Sequence, residues 1–215
     1  MQGNEPLTIL TEGTAEFTVQ RSRFIACIAA VHDEEEARAF VARLRKEHYD
    51  ARHCCSAWIL GADGAKQKSS DDGEPGGTAG MPILETMKRR GLTDAAVVVV
   101  RYFGGIKLGA GGLVRAYSHA AAIGIDAATL ARRVTLRRLS VTVGYETLSA
   151  VEHWARQKKI RVGEAAYAEK VTLPLLLEPV QYENAKRELT DLTAAKAVLE
   201  DGDEEELLEP IEKTK

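Results

Sequence analysis

Residues 95–117 read AAVVVVRYFGGIKLGAGGLVRAY, and three changes of character within them decide the fold. The opening AAVVVVRYF (95–103) is an unbroken apolar run rich in β-branched valine, which reads as a strand buried on both faces. GGIKLGAGG (104–112) then supplies a glycine turn. From Leu113 to about Ala128 a run of small residues reads as a helix whose alanines allow close packing on a sheet. A strand passing through a glycine turn into a sheet-packed helix places the chain among mixed α and β proteins.

Working back toward the N-terminus, residues 81–90 (MPILETMKRR) carry the signals of a second helix. Pro82 sits where a helix begins, Lys88, Arg89 and Arg90 fill its last turn, and Gly91 stops it. Residues 61–80 are almost all polar or glycine and read as a long functional loop. His53 to Leu60 reads as a strand. Asp33 is placed to cap a helix running to about Lys46, with Glu34 to Glu36 complementing its dipole and Ala37, Phe40, Val41 and Leu44 at helical spacing. One or two strands fall around Phe17, Val19 and Phe24 to Val31.

Toward the C-terminus the pattern changes near Arg132 and Arg133. Strand (135–144), helix (147–158), strand (160–166), strand (170–177), helix (180–192) and strand (196–200) follow one another, the β-α-β-β-α-β order of a ferredoxin-like unit. The expected organisation is α+β, with an N-terminal domain over 1–132, a ferredoxin-like domain over 133–202 and an acidic tail over 203–215. The tail expectation comes from charge. Residues 1–199 carry 27 Lys and Arg against 24 Asp and Glu, whereas 200–215 carry 2 against 8. Asp203, Glu204, Glu205 and Glu206 read either as a solvated end or as an interaction tail.

Composition excludes several classes. With 215 residues, 45% hydrophobic and 28% charged, the chain has the apolar content to bury a core and is not disordered. The longest strongly apolar run, about residues 95–100, is far short of a bilayer span. With no charged-then-apolar leader after Met1, a cytoplasmic location and no membrane partner are expected. Three cysteines, Cys27, Cys54 and Cys55, make a poor disulfide framework and read as free thiols. A pI of about 6.0 argues against an overall basic nucleic-acid footprint.

Of the 18 glycines, 12 lie between residues 61 and 112, so two backbone loops are the special feature of this chain. The first, SDDGEPGGTAG (70–80), contributes Asp71, Asp72, Glu74 and Thr78 as candidate contacts. Its carboxylates have three readings: a hard cation such as Mg²⁺, turn chemistry alone, or pairing of Asp72 or Glu74 with Arg101 or Arg115. The second loop contributes Arg101, Tyr102, Gly104, Gly105, Lys107, Gly109, Gly111, Gly112 and Arg115. A glycine turn opening a helix can present backbone N–H groups to an anion, or its glycines can serve close backbone packing. Neither G-x-x-x-x-G-K-[ST] nor a clean G-x-G-x-x-G is present.

His53, Cys54 and Cys55 resemble zinc ligands, yet neighbours on a strand face opposite ways and no three converge. A Cys–His nucleophile using His53 or His119 is a further option. Tyr102, Phe103 and Tyr117 beside basic residues either stack bases or pack in the core. No metal, cofactor or catalytic residue is assigned.

SDDGEPGGTAGMPIL (70–84) and VVVVRYFGGIKLGAGGLVRAY (97–117) resemble the two signature stretches of the YigZ/IMPACT family at the expected separation, with similarity over about residues 22–128. One departure is Gly76, where the first signature leads one to expect serine. The second half resembles the small C-terminal domain of bacterial members, itself similar to a domain of elongation factor G. The resemblance implies an N-terminal two-layer α/β fold named for the second domain of a small-subunit ribosomal protein. It also implies a non-enzymatic role in regulating translation, with RNA, the ribosome or a translation factor as partner. Eukaryotic members regulate translation under amino-acid stress by binding a co-activator of an initiation-factor kinase; they carry a further N-terminal domain, so that partner is not carried over. The competing reading is a small-phosphate or nucleotide binder, or a Mg²⁺-dependent enzyme, using the same two loops.

Overall fold

A computed structural model describes residues 6–211. It divides into two units, Met1–Arg133 with Leu208–Lys215, and Val134–Leu207. The first unit is built on a five-stranded antiparallel sheet. Its strands are β2 (Gly13–Val19), β3 (Ser22–Ala30), β4 (His53–Leu60), β5 (Lys66–Ser70) and β6 (Ala95–Tyr102), in the order β2-β3-β6-β4-β5. A further strand, β1 (Leu7–Thr11), pairs antiparallel with the start of β7 (Thr129–Val143).

The continuous apolar run of β6 follows from its central place. Val97 and Val99 join the core beneath helices α2 (Gly80–Arg89) and α3 (Gly109–Ala127). Ala96, Val98 and Val100 join a second core beneath α1 (Glu34–Glu47), which buries Ala37, Phe40 and Leu44. Successive side chains alternate between two covered faces, so every position is apolar. The helix signals read from sequence are realised. Asp33 caps α1, accepting the Glu36 N–H at 2.8 Å, and Gly91 follows α2 at φ +67°.

Three expectations are corrected. The long loop over 61–80 is interrupted by β5, which hydrogen-bonds to β4 from Ser56↔Ser70 to Leu60↔Lys66. KQKSS has no apolar signature because β5 lies on the sheet edge with its side chains mostly in water. The helix expected from Leu113 begins at Gly109, since tertiary packing overrides the low helix propensity of glycine in a first turn. The acidic tail is also not a tail. Residues 203–210 continue strand β11 (Val198–Pro210), which pairs with β7. Backbone pairing is indifferent to side-chain charge when the charged face is solvated, and acidic residues suit an edge strand.

The second unit contains the greater part of β7, α4 (Tyr145–Gln157), β8 (Arg161–Val162), β9 (Ala166–Tyr167), β10 (Val171–Leu177), α5 (Pro179–Leu192) and most of β11. The strand expected over 160–166 is split into β8 and β9, both paired with β10. With β11 beside β7, β7 beside β10 and β10 beside β8 and β9, the order is ferredoxin-like. Leu139, Val141 and Val143 of β7 and Leu173, Leu175 and Leu177 of β10 alternate onto one face. There they pack with Val151, Trp154, Tyr182 and Leu189. The overall class is α+β, an α/β domain followed by a second one.

Candidate functional site

The acidic loop after β5 is folded by its own carboxylates, each taking different partners. Asp71 accepts the N–H groups of Gly77 (2.8 Å), Ala79 (2.9 Å) and Gly80 (2.9 Å). No side chain of α2's own N-cap, Ala79, closes that helix, so Asp71 caps it from the preceding turn. Burial pushes the Asp71 carboxyl up, but the three backbone N–H bonds outweigh it and hold it below the ordinary value. Asp72 accepts the Cys54 N–H at 2.6 Å and pairs with Arg45 at 2.5 Å. Its backbone is left-handed, φ +41°, which turns its carbonyl onto His53 Nδ1 at 2.9 Å. Thr78 donates to the Pro75 carbonyl at 2.6 Å.

Glu74 points inward. It is 8% exposed, and its Oε1 accepts from Arg101 Nη1 at 2.6 Å and from the Tyr117 hydroxyl at 2.8 Å, with His53 Nε2 at 3.8 Å. Strand register creates this meeting. His53 on β4 and Phe24 on β3 both lie opposite Arg101 on β6, so their side chains share the face that α3 covers with Tyr117. Arg101 is 4% exposed; its guanidinium also donates to Ser22 Oγ at 3.2 Å and lies 5.4 Å from the ring centroids of Phe24 and Phe103. Burial pushes the Tyr117 phenol up, so it stays protonated and donates.

The glycine loop leaves this cluster along one edge. Gly104 approaches the β2–β3 turn so closely that a Cβ would lie 2.0 Å from the Arg21 carbonyl carbon, and its N–H reaches Ser22 Oγ at 3.3 Å. Close backbone packing is therefore the role of that glycine. Gly105 lies in the exposed turn, while Gly111 and Gly112 lie within the first turn of α3. Gly109 opens the helix at φ +70°, where a side chain would be strained. The helix N-terminus has neither a side-chain cap nor an acidic residue in its first turn.

Between the two loops lies a cleft of about 420 Å³, lined by Arg52, His53, Gly73, Glu74, Pro75, Arg101, Phe103, Lys107, Leu108, Gly109, Ala110 and Leu113. The pairing reading is thus realised as Glu74 with Arg101, and the two loops border one cavity. The Mg²⁺ reading of Asp71, Asp72 and Glu74 is corrected, because the three diverge onto backbone amides, Arg45 and Arg101 respectively. No cluster of three or more His, Cys, Asp or Glu side chains placed to hold a metal ion occurs among the described residues. Tyr102 lies outside the cleft. One residue on from Arg101, it faces the other side of the sheet and bonds His48 Nδ1 at 2.9 Å. Arg115 is exposed on α3 and does not line the cleft.

Nucleophilic cysteine chemistry has no support in this geometry. Cys55 is 0% exposed and donates to the Asp71 carbonyl at 3.0 Å. Burial pushes the thiols of Cys54 and Cys55 up to about 11 and about 12. Arg52 carries no sequence signal, since an exposed arginine before a strand looks like any other; only the β4 register brings it to the cleft. Its guanidinium lies 5.7 Å from the Phe103 ring centroid, and Phe103 is 39% exposed. Arg52 and Lys107 have no carboxylate partner among the described residues. With Arg101 balanced by Glu74, the cleft has an excess of positive charge beside open backbone donors, an arrangement complementary to an anion.

Comparison with known proteins matches the two units to two family models, the Impact N-terminal domain over residues 20–125 and a domain of unknown function (DUF1949) over residues 141–196. IMPACT family member YvyE of Bacillus subtilis (strain 168) is 37% identical over 91% of this chain and 90% of its own length. IMPACT family member YigZ of Escherichia coli (strain K12) is 36% identical over 87% and 90%. The crystal structure of a hypothetical protein, 34% identical, superposes with a TM-score of 0.59 over 91% of this chain and 96% of that one. A Saccharomyces cerevisiae IMPACT homolog is 36% identical over 43% of this chain and 37% of its own. On both its signature loops and its full-length relatives, this chain belongs to the IMPACT family.

Proposed function

We propose that the chain is a non-enzymatic binding protein linked to the regulation of translation, and that the cleft of its first unit holds a phosphate of RNA. One observation carries the reading: Arg52 and Lys107, both without carboxylate partners among the described residues, converge with the uncapped N-terminus of α3 on one cleft. Phosphate contacts need such donors and no base-specific side chains. The eukaryotic regulators that the first unit resembles supply the link to translation.

Binding of a labelled single-stranded RNA, followed by anisotropy across a salt series, tests it. The slope of log affinity against log salt falls by about 0.7 for each phosphate contact removed. An Arg52→Ala, Lys107→Ala variant is expected to lower that slope by about 1.4, whereas Arg115→Ala, outside the cleft, keeps it. Equal slopes for all three proteins would remove the cleft from the interface. A small phosphate-bearing ligand is the second reading, favoured by the cleft's volume of about 420 Å³, which falls within the range of small-molecule sites.

A further inference from the structure

We infer that the cleft takes a phosphomonoester, a terminal phosphate, rather than an internal phosphodiester of a strand passing through. The inference deepens the anion-binding reading above and rests on it. It starts from charge. Arg101 is balanced by Glu74 at 2.6 Å, which leaves Arg52 and Lys107 as the two uncompensated cations lining the cleft. A phosphomonoester carries a charge of about −1.5 to −2 near neutral pH and three acceptor oxygens, as phosphorylated side chains do. A diester carries about −1 and leaves one of the two cations unbalanced.

The donors agree with the charge. The first-turn N–H groups of α3 have no intrahelical acceptors and no side chain caps them. Leu108, Gly109 and Ala110 bring that end of the helix into the cleft wall. A second, independent observation lies at the cleft's inner wall. Arg101 is 4% exposed, and its Nε has no hydrogen-bond partner although it is buried. A buried guanidinium N–H without an acceptor is rare in a folded protein, and it leaves an unsatisfied donor in a residue of the cleft wall. Size agrees as well. A cavity of about 420 Å³ holds a ligand of nucleotide dimensions, with the exposed Phe103 ring and Leu108 on its walls.

The monoester has two sources, the 5′ end of an RNA or a free nucleotide. The experiment compares one short RNA carrying a 5′-phosphate, the same RNA with a 5′-hydroxyl, and a nucleoside 5′-monophosphate as competitor, using the full chain. The phosphorylated RNA is expected to bind at least about tenfold more tightly, the effect of one additional charge-assisted contact. Lys107→Ala and Arg52→Ala, both at exposed positions, bring that ratio toward one while circular dichroism shows the fold retained. Displacement by the mononucleotide at concentrations near its RNA equivalent identifies the free nucleotide as the source; much weaker displacement identifies the RNA end. Equal binding of the two RNAs overturns the terminal-phosphate inference and leaves the RNA reading standing. Binding of the mononucleotide without either RNA overturns the RNA reading and supports the phosphomonoester. If none of the three binds, both fail.

Discussion

Replacing Glu74 with glutamine probes the architecture of the cleft most sharply. In the native protein the Glu74 and Arg101 side chains are 4% and 5% exposed and lie 2.6 Å apart. Tyr117 adds a second bond to the same oxygen at 2.8 Å. Glutamine has nearly the same shape and keeps one acceptor oxygen, so packing changes little. What it removes is the negative charge that compensates a buried guanidinium. Breaking a buried pair at one partner costs about 3–5 kcal/mol; with one acceptor retained, the lower end, about 3 kcal/mol, is the appropriate figure. At a urea m-value of about 2 kcal/mol per molar, the unfolding midpoint of the first unit falls by about 1.5 M.

Trp58 lies in the first unit's core and Trp154 in the second's. A Trp154→Phe background therefore makes fluorescence a reporter of the first unit alone. Arg101→Met and the double variant complete a thermodynamic cycle. Because each single change strands one charge and the double change strands none, a coupling energy of at least about 1.5 kcal/mol is expected. A Glu74→Gln protein within about 0.5 kcal/mol of the parent, the range of ordinary surface substitutions, would show that the Glu74 charge does not compensate Arg101.

Other consequences follow from neighbouring residues. Asp71→Ala removes the acceptor of three N–H groups at the start of α2 and is expected to cost about 1–3 kcal/mol at neutral pH. The Asp71 carboxyl is held below its ordinary value in the folded state, so its contribution is present above the unfolded value of about 3.9 and is lost as pH falls through the folded one. Denaturation curves of the two proteins should therefore stay apart at neutral pH and converge only below about pH 4. Gly104→Ala forces a Cβ to within 2.0 Å of the Arg21 carbonyl carbon and should destabilise by about 1–3 kcal/mol or more. Gly76→Ser meets open space and should lie within about 0.5 kcal/mol of the parent; thermal scans of both check the contrast. Burial pushes the thiols of Cys27, Cys54 and Cys55 up, so Ellman's reagent at mildly alkaline pH should leave all three unmodified until the chain is unfolded.

Much of this fold is legible residue by residue. The β6 run is apolar because both faces are covered, and Asp33, Pro82 and Gly91 mark helix ends by local chemistry that needs no partner. What escapes a linear reading depends on pairing. β5 and the acidic half of β11 are held by backbone hydrogen bonds to β4 and β7, and their side chains carry no apolar alternation to reveal it. The site divides in the same way. Both loops stand out by glycine content, yet the choice of Glu74 over Asp72 as the partner of Arg101 depends on the left-handed turn at Asp72 and on the strand register. Tyr102 and Arg115 are near Arg101 in sequence but not in the cleft, one by strand parity and the other by its place on α3. Arg52 enters only through β4 lying opposite β6.

If this cleft engages phosphate in the service of translation, the protein should sediment with ribosomes from the host at low salt and be released at moderate salt. The parent protein is expected to pellet with a ribosomal subunit and to be released as salt rises, and the folded Arg52→Ala, Lys107→Ala variant to stay in the supernatant while Arg115→Ala pellets like the parent. A parent protein that never pellets, or a double variant that pellets as well as the parent, would rule out phosphate engagement on the ribosome by this cleft.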